Sequence, residues 1–154
     1  MLLAIDPGSS ESAYVLFDKN NASTPLEVFE KVHNDKLLSF LRLDSFLPEA
    51  DLIAIEAIAS YGMPVGKEIF DTCIWIGRFI EASRLPFRLI YRKDVKMYLC
   101  NSMRAKDTNI RQALIDKFEP GLKPKERPKG ILKGVSKDVW SAVAIAVYAS
   151  EVKP

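Results

Sequence analysis

The stretch LLAIDPGS, residues 2–9, places four apolar side chains directly before a carboxylate and then turns at Pro-Gly. A short apolar run bounded by turn residues is typical of a buried β-strand. Asp6 is therefore expected at the end of a core strand. A carboxylate buried there is costly unless it has a partner, and that partner is often a metal ion.

Two further acids occupy comparable positions. LIAIE, residues 52–56, is a second apolar run that ends in an acid, Glu56. Asp138 opens a helix-like apolar segment at residues 139–149. Oxygen ligands of this kind suit hard divalent cations, so Asp6, Glu56 and Asp138 together indicate a divalent metal site.

The rest of the chain predicts alternating elements around these acids. Strands are predicted at residues 2–6, 12–18, 26–32, 51–56 and 86–90, and helices at residues 35–46, 65–83, 92–100, 108–118 and 139–149. The first three strands, joined by short turns, predict an antiparallel meander. The helix at 65–83 is expected to use one apolar face, and Trp75 and Trp140 are expected in the core. That face carries Ile69, Phe70, Cys73, Ile76, Phe79 and Ile80.

Composition excludes several classes of protein. The 154 residues suffice for one domain with a single core, and 48% hydrophobic with 27% charged residues is ordinary for a globular protein. No apolar run reaches the roughly 20 residues that span a bilayer, and the N-terminus does not resemble a signal peptide. Cys73 and Cys100 lack metal-type spacing and predict free thiols in a reducing compartment. His33 is the only histidine, so a histidine-based zinc site is excluded.

Charge is distributed unevenly along the chain. Residues 1–83 carry 6 basic and 13 acidic side chains, whereas residues 84–137 carry 15 basic and 5 acidic ones. An acidic part that holds cations, joined to a basic part that holds a polyanion, favours a metal-dependent enzyme acting on nucleic acid. The alternative from charge alone is a solvated lysine-rich surface.

Five segments, in order and spanning nearly the whole chain, resemble motifs of the RuvC family of Holliday junction resolvases. They are AIDPGS at 4–9, AIE at 54–56, YRKDVK at 91–96, AKD at 105–107 followed by Ile110-Arg111, and DVWSAVAIA at 138–146. The stretch YGMPVGKE at 61–68 is more similar to phage-type members than to bacterial ones.

The resemblance implies an α/β protein of the RNase H-like fold, in which strand-end acids meet an acid carried by a helix. We expect a mixed five-stranded sheet, with the first three strands as an antiparallel meander, flanked by helices. The whole chain, residues 1–154, would form a single domain. Within it, residues 119–137, rich in Pro, Gly and Lys, would form a basic mobile loop.

The resemblance also implies the chemistry. The chain would be a metal-dependent endonuclease that resolves Holliday junctions by paired symmetric nicks. Asp6, Glu56 and Asp138 would be the catalytic and metal-binding residues, holding two Mg²⁺ or Mn²⁺ ions about 4 Å apart. One ion would generate the attacking hydroxide and the other would stabilise the leaving 3′ oxygen.

Two positions depart from the family pattern. Bacterial members commonly carry a second functional residue three positions after the last acid, and here it is Ser141, a weak neutral ligand. The bacterial order Ala-acid-Lys is replaced by Ala105-Lys106-Asp107. The site is therefore expected to hold three carboxylates rather than four.

Basic residues between positions 96 and 137 are expected to contact phosphates, giving affinity with little sequence selectivity. The candidates are Lys96, Arg104, Lys106, Arg111 and Lys133. Tyr61, just after Glu56, is expected either to stack on an unpaired base at the junction centre or to pack as a rim aromatic.

A four-way junction is nearly two-fold symmetric, so the expected assembly is a homodimer that presents two equivalent sites, with the helix at 65–83 as the dimer face. The expected location is the cytoplasm of a bacterial or phage-infected cell, without membrane association.

Three alternatives remain open from the sequence. The Asp-x-Gly-Ser turn also occurs in sugar kinases and actin-like ATPases, but those need two such domains and a second phosphate loop. A YqgF-like RNA nuclease has a similar opening motif. A non-catalytic protein that binds branched DNA is permitted by Ser141.

Overall fold

A computed structural model of the chain describes residues 1–43, 50–123 and 125–154. Its strands are β1 (Leu2–Asp6), β2 (Glu11–Phe17), β3 (Leu26–His33), β4 (Leu52–Ala57) and β5 (Phe87–Tyr91). Its helices are α1 (Asn34–Arg42), α2 (Lys67–Ser83), α3 (Arg92–Cys100), α4 (Asp107–Phe118) and α5 (Val139–Glu151).

The five strands form one mixed sheet in the order β3-β2-β1-β4-β5. The β1–β2 and β2–β3 pairs are antiparallel, and the β1–β4 and β4–β5 pairs are parallel. The predicted α/β class, the five-stranded mixed sheet and the opening meander are therefore confirmed. The sheet is open, with β3 and β5 at its edges.

The sheet separates two apolar cores. Alternate residues of β1 enter opposite cores, with Leu2 and Ala4 on the side of α5, and Leu3 and Ile5 on the side of α1 and α2. This is the period of two expected for a strand buried on both faces. By the same alternation Asp6 projects toward the side of α5.

The last helix occupies the centre of the larger core. Residues 142–147 of α5 are almost completely buried, because the helix lies between the sheet and the pair α3 and α4. The sequence of this helix alternates alanine with larger residues, AVAIAV, which lets it approach the sheet closely. The close docking of α5 brings Asp138, at its N-terminus, to the end of β1.

The boundaries of the helices differ modestly from the sequence predictions. The predicted helix at 35–46 is α1, which ends at Arg42, and residues 44–49 lie outside the described residues. The helix predicted from residue 65 begins at Lys67, after the extended Gly66.

The predicted core face of α2 is wrong in part. Phe70 is 60% exposed and Cys73 is also exposed, while Thr72 and Ser83 are buried with Ile76 and Phe79. The helix is apolar around much of its circumference, so its periodicity did not define which side meets the sheet. Trp75 and Trp140 are half-buried and pack against the two cores.

The segment at residues 119–137 has turns but neither helix nor strand where it is described. Leu132 is fully buried and Val135 nearly so. The Glu119 carboxylate accepts backbone N–H groups of Lys129 at 3.0 Å, Gly130 at 2.5 Å and Leu132 at 3.3 Å. These contacts anchor one part of the segment. Its mobility and the single-domain division of the chain remain predictions.

Across the described residues, no helix is both long and apolar enough to cross a bilayer.

Candidate metal centre and nucleic-acid interface

Asp6 and Glu56 are brought together by the register of two parallel strands. Ile5 of β1 is paired with Ile55 of β4, so the acid that follows each of them lies at the same end of the sheet. Ala4 and Ala54 both belong to the core on the side of α5, which places both acids on that face. The strand-end arrangement predicted from the sequence is therefore present.

The turn after Asp6 is fixed by a small polar network. The Ser12 hydroxyl donates to Asn34 Oδ1 at 2.6 Å and accepts the Gly8 N–H at 3.2 Å, while Asn34 Nδ2 donates to the Gly8 carbonyl at 2.9 Å. A Cβ at Gly8 would lie 2.4 Å from the Glu11 carbonyl oxygen, so this position requires glycine. The network holds the chain direction immediately beyond the carboxylate.

Asp6 has an unusual protonation equilibrium. Burial, followed by the negative charge of Glu56, raises its pKa from 3.8 to about 8, and Asp138 adds to the rise. Arg92 and a hydrogen bond from the Ser141 hydroxyl act in the opposite direction. Burial and the nearby carboxylates both disfavour the charged form of Asp6. Ser141, for which the sequence predicted a weak ligand role, is thus a hydrogen-bond donor to Asp6.

Glu56 is paired with an arginine. Its side chain is mostly buried, and Arg92 Nη1 lies 3.3 Å from Oε1 and 3.4 Å from Oε2. Burial raises the pKa of Glu56, and the charge and hydrogen bond of Arg92 work against that rise. Arg92 Nη2 also contacts Asp107 Oδ1 at 2.5 Å. The guanidinium therefore joins the end of β4 to the start of α4.

Asp138 is paired with a lysine. Lys31 Nζ, on β3, lies 2.7 Å from Asp138 Oδ2 and 3.6 Å from Glu11 Oε2. The hydrogen bond that the Lys31 ammonium donates to the Asp138 carboxylate is the main reason that the pKa of Lys31 is raised. Asp138 is itself about half exposed and forms no side-chain cap on α5.

The donor set fits a hard divalent cation such as Mg²⁺ or Mn²⁺, because it consists of carboxylates from three elements with a hydroxyl beside them. Within the described ranges, however, no three His, Cys, Asp or Glu side chains are grouped closely enough to hold an ion. Glu56 and Asp138 each face a basic side chain instead. Asp6, Glu56 and Asp138 would hold the ion only after those two contacts change.

A cleft of about 360 Å³ opens over Asp6 and Asp138. Besides these acids and Ser141, it is lined by the bases Arg92, Arg111 and Lys137 and by Asp107 and Trp140. A second groove of about 740 Å³ shares Arg111, Lys137 and Trp140 with the first and adds Arg127 and Lys133. The acidic end of the sheet therefore continues into a basic groove.

The predicted phosphate contacts are distributed unequally around this cleft. Arg111 lines both cavities and lies with its guanidinium 5.0 Å from the Trp140 ring centre, and Lys133 lines the second groove. Lys96, half-buried on α3, is close enough to lower the pKa of Glu56. Lys106, the N-cap of α4, and Arg104 are exposed and line neither of these two cavities.

Tyr61 lies in the exposed turn that follows β4. Its side chain is 64% exposed, its φ of 49° is left-handed, and Lys93 Nζ lies 5.8 Å from the ring centre. An exposed ring is consistent with both sequence interpretations, so its stacking role stays a prediction.

Sequence reasoning missed two residues of the centre, Arg92 and Lys31. Arg92 follows β5 directly, and the parallel neighbours β4 and β5 end together, so strand order would have pointed to it. Lys31 reaches Asp138 only through the register of β3, in which it pairs with Ala13. That register has no local sequence signal.

The sheet order, the meander and the central α5 define an RNase H-like fold with acids at the ends of β1 and β4. Neither a protein-family model nor a curated protein sequence matches the chain. Solved structures of junction resolvases do match, and they confirm at the level of fold the resemblance seen in the sequence.

Two of these structures are of Thermus thermophilus RuvC. One has 18% sequence identity and a TM-score of 0.66, covering 97% of this chain and 95% of the other. The second, in complex with a Holliday junction substrate, has 15% identity and a TM-score of 0.66 over 97% and 92% of the two chains. The Fowlpox virus resolvase in complex with Holliday junction DNA has 15% identity and a TM-score of 0.51 over 99% and 100%.

Proposed function

We propose that this protein is a metal-dependent, structure-selective DNA endonuclease that resolves four-way junctions by paired symmetric nicks. The observation that carries the proposal is the position of Asp6, Glu56 and Asp138 at one end of the sheet, beside a basic groove, within a resolvase fold. Its action on DNA would place it in the cytoplasm of a bacterial or phage-infected cell.

The metal would be held by Asp6, Glu56 and Asp138. When bound, Mg²⁺ or Mn²⁺ activates water and offsets the charge that develops on the phosphate. The chain itself supplies the arrangement around the reacting strand. Arg111 and Lys137 line the cleft and attract the phosphate backbone, while Lys133 and Arg127 extend the positive surface beyond it. Because these contacts go to phosphates, affinity should fall steeply with salt.

We infer that the partner is a second copy of the chain, docked through α2. Phe70 and Ile74 are 60% and 61% exposed on this helix. Gly77, in the helix interior, costs roughly 1 kcal/mol relative to alanine, and a Cβ there would meet nothing within 4 Å. The monomer therefore gives no reason for the glycine, whereas a closely approaching helix does.

The charges of α2 favour an antiparallel, two-fold pairing centred near Ile74. Lys67 and Glu81 lie equally far from Ile74 along the helix, so such a pairing would set the lysine of each copy opposite the glutamate of the other. The exposed Met63 and Val65, just before the helix, would extend the apolar contact.

The dimer proposal is tested by sedimentation. Ile74→Lys should shift the protein from dimer to monomer at micromolar concentration, because it buries a charge at the centre of the contact. Val28→Lys, a matched change at an exposed position of the edge strand β3, should leave the dimer intact. A wild-type protein that is monomeric at every concentration would contradict the proposal.

The activity is tested with an end-labelled four-way junction beside a linear duplex of the same sequence and a structured RNA, each with Mg²⁺ or Mn²⁺. We expect symmetric nicks in the junction and an intact duplex. Cleavage of the RNA in preference to the junction would point instead to an RNA nuclease of the same fold.

One observation favours a second candidate function, that of a non-catalytic protein that binds branched DNA. Two of the three acids are already neutralised by Arg92 and Lys31, and Ser141 stands where family members commonly carry another functional group. Tight junction binding without cleavage in any divalent ion would support this alternative.

A further inference from the structure

Arg92 is the most heavily contacted cation of the candidate metal centre. Its Nη1 reaches both oxygens of Glu56, and its Nη2 reaches Asp107. These contacts use the forked geometry of the guanidinium group, whose N–H donors can hold two carboxylates at once in fixed directions. An ammonium group is a less directional donor. Asp107 is largely exposed, whereas Glu56 is only 9% exposed. Only the contact with Glu56 therefore neutralises a buried charge.

The contact with Glu56 compensates a buried charge. A mostly buried carboxylate without a cation is strongly disfavoured, and removal of its partner usually destabilises the folded chain. In the structure Arg92 supplies the positive charge beside Glu56, with Nη1 at 3.3 Å from Oε1.

The same contact opposes metal binding. The Nη1 atom spans both Glu56 oxygens, which are the atoms a metal would use, and its positive charge repels a divalent cation. Lys31 stands in the same relation to Asp138, at 2.7 Å. The bases and a metal ion thus compete for the same carboxylates.

We propose that Arg92 is a positioning residue that neutralises Glu56 until a metal ion binds. When the metal ion binds, Arg92 releases that carboxylate to it. Its second contact, with Asp107, keeps the guanidinium at the rim of the cleft when Glu56 is released. This inference rests on the proposed function, because it assumes that Glu56 is a metal ligand.

The consequence is that the apparent metal affinity of the free protein includes the cost of opening the Arg92–Glu56 contact. When only a fraction of molecules is competent to bind, the apparent dissociation constant rises by the inverse of that fraction. Removing Arg92 removes this competition. It also leaves Glu56 without its hydrogen-bonded cation, so a bound metal ion would then stabilise the folded chain.

The test measures thermal unfolding midpoints and Mg²⁺ binding on the free protein, without DNA and after treatment with a chelator. Arg92→Gln should lower the midpoint of the metal-free protein, and Mg²⁺ should restore most of the loss. Its apparent Mg²⁺ dissociation constant should be on the order of tenfold lower than that of the wild type. Arg92→Lys keeps the charge, so its unfolding midpoint and its Mg²⁺ dissociation constant should lie between those of the wild type and of Arg92→Gln.

Lys93→Gln is the matched control. It removes one positive charge from the next residue of α3, whose ammonium faces the rings of Tyr61 and Tyr91 and not an acid of the centre. Its midpoint and its Mg²⁺ affinity should stay close to those of the wild type. An equal gain in affinity in this variant would mean that net charge alone is responsible, and would overturn the proposal.

If Arg92 only braces β4 against α4, the experiment gives a different result. Arg92→Gln would then be destabilised, but Mg²⁺ would raise its unfolding midpoint no more than that of the wild type. Unchanged or weaker Mg²⁺ binding in Arg92→Gln, or no binding to any variant, also overturns the proposal. If Arg92→Gln does not fold, the Mg²⁺ affinity of Arg92→Lys decides, and it must exceed that of the wild type. Junction cleavage by the wild type is measured separately, so the proposed function can survive failure of this inference.

Discussion

At the scale of single residues, the protein neutralises the three acids of the candidate centre by different means. Glu56 is paired with Arg92 and Asp138 with Lys31, whereas Asp6 has no base of its own at hydrogen-bond distance among the described residues. Asp6 instead holds a proton, because burial and the neighbouring acids raise its pKa to about 8. A bound divalent ion would replace the proton and both bases.

The protonation of Asp6 predicts how stability depends on pH without metal. Between about pH 4 and pH 8 the folded protein keeps a proton on Asp6 that the unfolded chain has lost. The free energy of unfolding should therefore fall as pH rises through this window, by roughly 1 kcal/mol per pH unit from this group. Asp6→Asn should remove that decline, as measured by urea unfolding in chelator.

Asp35→Asn is the control for the Asp6 experiment, because Asp35 is exposed in the first turn of α1. Its free energy of unfolding should decline with rising pH as that of the wild type does. A pH dependence that is identical in Asp6→Asn and the wild type would show that Asp6 is ionised in the metal-free protein.

At the scale of secondary-structure elements, one carboxylate organises the basic segment that lines the second groove. Glu119 follows the last residue of α4 and accepts three backbone N–H groups from residues 129, 130 and 132. Lys133 comes directly after this anchored stretch, and Lys137 lies four residues further along the chain. The contact therefore positions basic side chains of the groove through the backbone.

Glu119→Gln should loosen this stretch, because the amide has one acceptor oxygen in place of two. We expect faster hydrogen exchange at amides 129, 130 and 132, and a loss of stability of about 1–2 kcal/mol. Junction binding should weaken, although the variant has one negative charge fewer. Asp116→Asn, which removes the same charge from an exposed position on α4, should show neither effect. Unchanged exchange in Glu119→Gln would contradict this role.

At the scale of the whole molecule, the acidic and basic parts of the chain meet at one end of the sheet. The acidic part supplies Asp6 and Glu56 from parallel strands, and the basic part supplies Arg92, Arg111 and the groove beyond them. The positive surface would attract a polyanion to this end of the sheet.

Much of this arrangement could be predicted from the sequence, for a physical reason. The strands that end in Asp6 and Glu56 are continuous apolar runs, so their burial and termination have strong local signals. The meander followed from short turns, and the ordered motifs pointed to the fold.

The remainder depended on packing that no local pattern encodes. Phe70 and Ile74 belong to a helix that is apolar around much of its circumference, and only its docking decides which apolar side stays exposed. Lys31 reaches Asp138 across the sheet, and Arg92 joins β4 to α4. The ion pairs of Glu56 and Asp138 arise from these long-range contacts, so the sequence predicted the acids but not their partners.

We propose that Asp6 is part of a metal-dependent cleavage centre and not a structural acid. The most direct test compares wild type and Asp6→Asn for cleavage and for binding of the same four-way junction, with Mg²⁺ or Mn²⁺. We predict that the wild type nicks the junction symmetrically, while Asp6→Asn folds and binds it with similar affinity but does not cut. Junction cleavage by Asp6→Asn at the wild-type rate would contradict the claim.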